Sequence, residues 1–96
     1  MIEVRQTEVF SKWLRGLRDR LARVRIQARI DRMQDGNAGD VRPVGEGVSE
    51  MRIHFGPGYR VYFTRRGAEL VILLAGGDKS SQSDDIRKAL TLAREL

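Results

Sequence analysis

Cysteine is absent and histidine occurs once, at His54. Without cysteine there is no disulfide framework, no thiolate nucleophile and no zinc ribbon or finger. A single histidine excludes multi-histidine metal sites and makes a Ser-His-Asp hydrolase a poor expectation. Long apolar runs are missing too. The longest, Leu70 to Ala75, falls far short of the ~20 residues that a bilayer-spanning helix needs. The opening residues, Met1 to Arg5, carry charge where a secretory signal requires an apolar stretch. These absences point to a cytoplasmic protein with no membrane partner and no cysteine- or multi-histidine-based metal site; no metal and no cofactor are expected.

Lysine is scarce in an otherwise basic chain. Of 18 basic residues only Lys12, Lys79 and Lys88 are lysines, and against 13 acids they leave a net charge of +5. Arginine presents a fixed, permanently charged fork that matches phosphate and carboxylate geometry and stacks on bases. An arginine-rich surface therefore points to a polyanionic partner, most simply nucleic acid. At 96 residues the chain is expected to form a single domain, residues 1–96, since domains of about 100–200 residues are usual.

Periodicity orders that domain. Ile2 to Arg5 alternates apolar and charged residues as a half-buried strand does. Thr7 is an N-cap candidate for a helix carrying Phe10, Trp13, Leu14 and Leu17 at three- and four-residue spacing, with Gly16 a bend or break. A second helix carries Leu17, Leu21, Val24 and Ala28 on one stripe, with Ala22, Ile26, Ile30 and Met33 beside it. Its arginines read either as solvated charges and i,i+4-type partners of Asp19, Asp31 and Asp35, or as a polyanion-binding face. Residues 35–40 are a loop, and Val41 to Val44 is a short edge strand because Pro43 cannot donate to a ladder. Val48–Phe55 and Tyr59–Thr64 flank Gly56-Pro57-Gly58 as a hairpin. Glu69–Ala75 is apolar on both faces and reads as a central strand ended by Gly76-Gly77. A last helix shows the stripe Ile86, Ala89, Leu90 and Ala93. The expected fold is α+β, with two N-terminal helices and a C-terminal helix on one face of a small, mostly antiparallel sheet.

Period two then sorts the hairpin. Met51, Ile53, Val61 and Phe63 face the helices, which leaves Arg52, His54, Arg60, Tyr62 and Thr64 on the opposite face. Lys79 adds a cation at the rim, and Arg65 and Arg66 extend the basic surface at the following turn. Such a face suits single-stranded RNA, with cations on phosphates and an aromatic ring under a base. The plain alternative is an ordinary solvated sheet face.

The segment Glu50-Met51-Arg52-Ile53, then Gly58-Tyr59-Arg60-Val61-Tyr62-Phe63, Leu70 to Leu74 and Gly77-Asp78-Lys79-Ser80-Ser81-Gln82 resembles the RelE/ParE superfamily of toxins. More narrowly it resembles the HigB-like, phage-related "addiction module killer" branch, and the likeness runs through nearly the whole chain. The resemblance implies the toxin of a type II toxin–antitoxin pair. Its partners would be a cognate antitoxin, typically with a helix-turn-helix, the ribosome with its mRNA, and operator DNA only through the antitoxin. RelE and HigB members cut mRNA in the ribosome without a metal ion, using the ribose 2′-hydroxyl as nucleophile. By that likeness Arg60 and Arg52 grip phosphate, and Lys79, His54 and Tyr62 are the local proton-transfer candidates; the basic face itself makes Tyr62, Arg65 and Arg66 the RNA-binding candidates. The chain departs from RelE and HigB members in having neither Tyr nor His after Phe63. ParE-like gyrase inhibition and an inactive, antitoxin-binding homologue are the other functions consistent with the likeness.

Overall fold

Thr7 does two jobs where β1 (Glu3–Gln6) gives way to α1 (Glu8–Gly16). Its hydroxyl accepts the Phe10 N–H, capping the helix, and donates to the Leu74 carbonyl, fastening the helix start to a neighbouring strand. Helix α1 stops at Gly16 as expected. Asp19 then caps α2 (Arg20–Gln34) by accepting the Ala22 N–H. The remaining elements are β2 (Val41–Gly45), β3 (Val48–Ile53), β4 (Tyr59–Arg66), β5 (Leu70–Asp78), a single 3-10 turn at Lys79–Ser81 and α3 (Gln82–Arg94). A computed structural model describes all 96 residues.

The five strands form one sheet in the order β1-β5-β4-β3-β2. Every pairing is antiparallel except β1 with β5. This is the α+β class read from the sequence, with β2 and its Pro43 at the edge. No helix is long and apolar enough to cross a membrane.

The helices do not share one face, and this corrects the expected arrangement. Phe10, Ala22, Ile26, Ile30 and Met33 from α1 and α2 pack with Met51, Val61, Phe63, Val71 and Leu73 on one side. On the other side Ala89 of α3 packs with Val48, Tyr62, Leu74 and Ala75, flanked by Ile72, Ile86, Leu90 and Ala93. The cause lies in β5, whose side chains are apolar on both faces and so require cover on both. Helix α3 is tied down at both ends: Gln82 Nε2 donates to Glu50 on β3, and Arg94 makes two hydrogen bonds to Glu46 in the β2–β3 turn.

Two further expectations change. In α2 the buried stripe is Ala22, Ile26, Ile30 and Met33, while Leu21 and Val24 stand 51% and 58% exposed. Gly76 and Gly77 do not end β5 but lie inside it. A side chain at Gly76 would run into the Trp13 ring, and one at Gly77 into Asp85. These glycines permit close approach of α1 on one face and α3 on the other.

Overpacking a site this tight typically costs about 1–3 kcal/mol. Gly76→Ala should therefore lower the unfolding free energy by that amount, read as a lower urea midpoint at unchanged slope, whereas Gly36→Ala, whose Cβ would meet open space, should lose only what its positive φ imposes. Equal stability of Gly76→Ala and the parent protein in urea melts would contradict the Trp13 contact.

Candidate functional site

The β3–β4 hairpin ends in a five-residue connection, residues 54–58, in which Gly56 and Gly58 take positive φ. This tip extends beyond the cover of α3. A cleft of about 460 Å³ opens there, lined by residues 52–60 and Lys79. Arg52, His54, Arg60 and Lys79 thus line one cavity. Lys79 reaches it because Asp78, its side chain accepting the Ser80 N–H and hydroxyl, turns the chain immediately after β5. Those bonds to Ser80 hold the Asp78 carboxyl below its ordinary range.

Arg52 and Arg60 are directly opposite each other in the β3–β4 register, an arrangement that is destabilising for like charges. Two carboxylates from different directions relieve it. Asp40, from the loop before β2, holds Arg52 Nη2 at 2.9 Å through Oδ1 and His54 Nε2 at 2.6 Å through Oδ2. Those two hydrogen bonds, His54 first, keep the Asp40 carboxyl below the usual aspartate range. With a depressed folded value, this contact is in force above the ordinary aspartate range and is lost as pH falls through the depressed one. Arg29 on α2 sets the loop in place by donating to the Arg52 carbonyl at 2.6 Å and the Ala38 carbonyl at 3.0 Å. Burial and the nearby Arg32 charge lower its basicity somewhat.

The second carboxylate is Glu50, fully buried under the start of α3. Arg60 Nε lies 3.4 Å and Arg42 Nε 3.5 Å from its oxygens, and Gln82 Nε2 donates to it at 2.8 Å. The Arg60 side chain is only 12% exposed, so it forms the cleft floor, whereas the His54 side chain is 75% exposed at the rim.

Four residues that the sequence reading put on the basic surface, Tyr62, Thr64, Arg65 and Arg66, are not part of this cleft. Tyr62 is completely buried in the cluster beneath α3. Burial, reinforced by the Glu50 charge, pushes its phenol well above the ordinary tyrosine range. It can neither stack under a base nor exchange a proton with a bound substrate; the expected open face is covered there by α3. Thr64, placed on the same face, is buried and donates to the Gly47 carbonyl. Arg65 and Arg66 lie at the far end of β4, five and six residues from Arg60, or roughly 17–20 Å at about 3.3 Å per residue. Arg66 donates to the Ala93 carbonyl and Arg65 sits over the Phe63 ring.

Sequence reasoning missed Asp40 and Glu50. For Asp40 the local signal was only a loop acid. For Glu50 it was an acid on the face of β3 that also carries Arg52, which reads as a surface residue unless α3 is placed over it.

The family model for phage-derived Gp49-like proteins (DUF891) matches residues 12–96. The chain therefore belongs to that family, a family of RelE/addiction-module-type toxins. An uncharacterized protein of Haemophilus influenzae is 48% identical over 95 residues, covering 99% of this chain and 96% of that protein. No solved structure gives a significant match.

Removing one partner of a buried ion pair costs about 3–5 kcal/mol. Glu50→Ala, which strands Arg60, should accordingly lower the melting temperature by more than ~10 °C. Tyr62→Phe removes a buried hydroxyl that lies near the Glu50 carboxylate without a well-formed hydrogen bond to it, so stability should stay within about 1 kcal/mol and activity should not change. A large, selective loss of activity in Tyr62→Phe would restore it to the site.

Proposed function

We propose that the protein is the toxin of a type II toxin–antitoxin pair and that it cuts mRNA on the ribosome through the ribose 2′-hydroxyl. The gathering of Arg52, Arg60, Lys79 and His54 around one cleft, in a chain of this family, is the observation that carries the reading. Cytoplasmic action follows from that substrate. The antitoxin would cover the cationic surface with an acidic segment.

The reaction requires that the 2′-oxygen lose a proton, attack the adjacent phosphorus and expel the 5′-oxygen, which takes up a proton. The products are a 2′,3′-cyclic phosphate and a 5′-hydroxyl end. Arg52 and Arg60, which both line the cleft, stabilise charge on the phosphoryl oxygens in this reading. Asp40 engages Nε2 of His54; when Nε2 carries the proton, Nδ1 is left as an acceptor for the 2′-proton. Lys79, which has no acidic partner in the fold, can return a proton to the leaving oxygen. Arginine is too basic to do so readily.

Brief induction in bacteria with mapping of new mRNA 5′ ends tests the proposal. Cleavage within translated codons, with 5′-hydroxyl ends that vanish when initiation is blocked, is expected. Growth arrest with intact mRNA and a DNA-damage response would replace the reading with gyrase inhibition, and no arrest would favour an inactive homologue. Arg60→Ala should abolish toxicity, but it also strands Glu50. His54→Gln and Lys79→Ala, both at exposed positions, separate chemistry from folding. Each should slow cleavage by about 10²–10⁴-fold with an unchanged melting temperature. Full activity in both would remove them from proton transfer.

A further inference from the structure

Helix α2 carries an unusual set of charges. Arg20, Arg23, Arg25, Arg29 and Arg32 all lie on it, and none has an acidic partner within ion-pair distance; Asp19, Asp31 and Asp35 do not pair with them. Asp19 is occupied as the helix cap and Asp31 by Gln27. Elsewhere Arg5, Arg15, Arg42, Arg52, Arg60, Arg87 and Arg94 are all paired. Eight of the fifteen arginines thus have no acidic partner; Arg18, Arg65 and Arg66 lie elsewhere, and the other five lie on this helix.

Part of that helix borders the hairpin tip. A second cleft, about 230 Å³, lies between α2 and the tip, and it shares Ile53, His54 and Phe55 with the first. His54 and Phe55 form the ridge between the two. On the α2 side the Arg25 guanidinium sits 4.6 Å from the centre of the Phe55 ring, which fixes a cation at the ridge. Arg32 supplies another. Arg29 is engaged with backbone carbonyls and serves as structure.

We propose that Arg25, Arg32 and Phe55 form a second subsite, which holds the phosphate backbone of the same single strand of RNA beyond the segment lying in the Arg52/Arg60/Lys79 cleft. The strand crosses the His54–Phe55 ridge, and the cations on either side neutralise successive phosphates. This rests on the RNA reading of the first cleft. The α2 subsite adds affinity by charge, without reading bases. Nucleic acid is favoured over an acidic protein here because the second cleft offers one partly exposed ring and cations, and the exposed apolar residues Leu21 and Val24 do not line it.

Binding of uncleavable 2′-O-methyl RNA, read by fluorescence anisotropy over a salt series, tests the subsite. The strands are a trinucleotide, which fills only the first cleft, and one of about ten nucleotides, within the range of ordinary single-strand sites. Arg25→Ala/Arg32→Ala should weaken the long strand about tenfold, lower its salt slope by about 1.4 for two lost phosphate contacts, and leave the trinucleotide unchanged. Arg18→Ala/Arg20→Ala removes the same charge near the other end of α2 and should change either affinity less than twofold. Equal loss on both strands, no loss on either, or an equal effect of the Arg18/Arg20 pair would overturn the proposal. Lys79→Ala should weaken both strands; if it weakens neither, the first-cleft reading fails by itself. Parent protein that binds neither strand would overturn both. Lost affinity for an acidic protein partner with RNA binding intact would reassign the surface.

Discussion

A carboxylate with no access to water sits at the centre of this fold. Glu50 is buried between the sheet and the first turn of α3, where an uncompensated charge would be intolerable. It is tolerated because β2 and β4 each bring an arginine to it and α3 brings Gln82. One residue therefore joins three strands and a helix. The same contact decides where Arg60 points: with Nε turned to Glu50 and Nη1 to the Gly58 carbonyl, the side chain is confined to the floor of the cleft. A buried ion pair of this kind is weak support for stability; what it does here is hold Arg60 in one orientation, which is what the proposed grip on phosphate would need.

Asp40 plays the complementary part from outside. It pairs with Nη2 of Arg52, the cation facing Arg60 across the strands, and engages the one histidine. Its loop is held by Arg29, whose planar fork spans two carbonyls from different segments, a task the single ammonium of lysine performs poorly. The cleft is thus assembled from α2, the 35–40 loop, the hairpin and the exit from β5, and no single element would form it alone.

Much of this was legible in the sequence, and the limits follow from particular residues. Alternation placed β3 and β4, Pro43 placed the edge strand, and Thr7 placed the start of α1, because each depends on local chemistry. Tyr62 was misassigned because alternation tells which residues share a face without telling what covers it. The correcting signal was present: β5 is apolar on both sides, and the Ile86-Ala89-Leu90-Ala93 stripe of α3 needs a face to cover. Leu21 and Val24 misled for a related reason, since two adjacent apolar stripes on α2 are equally helical and only packing selects one. Asp40 and Glu50 act through partners 12 and 32 residues away, beyond the reach of any local pattern.

The arginine excess also reads differently once the contacts are known. Composition alone treats all fifteen as evidence for a polyanion, yet several are structural: Arg94 grips Glu46 with two nitrogens, Arg29 clips a loop, and Arg42 helps to neutralise Glu50. These uses exploit the guanidinium fork, which explains why lysine is so rare here. Against that background Lys79 stands out. It is the one lysine lining the cleft, it is exposed, and no carboxylate holds it. A site that only bound phosphate would be served as well by a further arginine. One that must also hand over a proton would not, because arginine keeps its proton; under the proposed function, that difference in chemistry is what separates Lys79 from the neighbouring arginines.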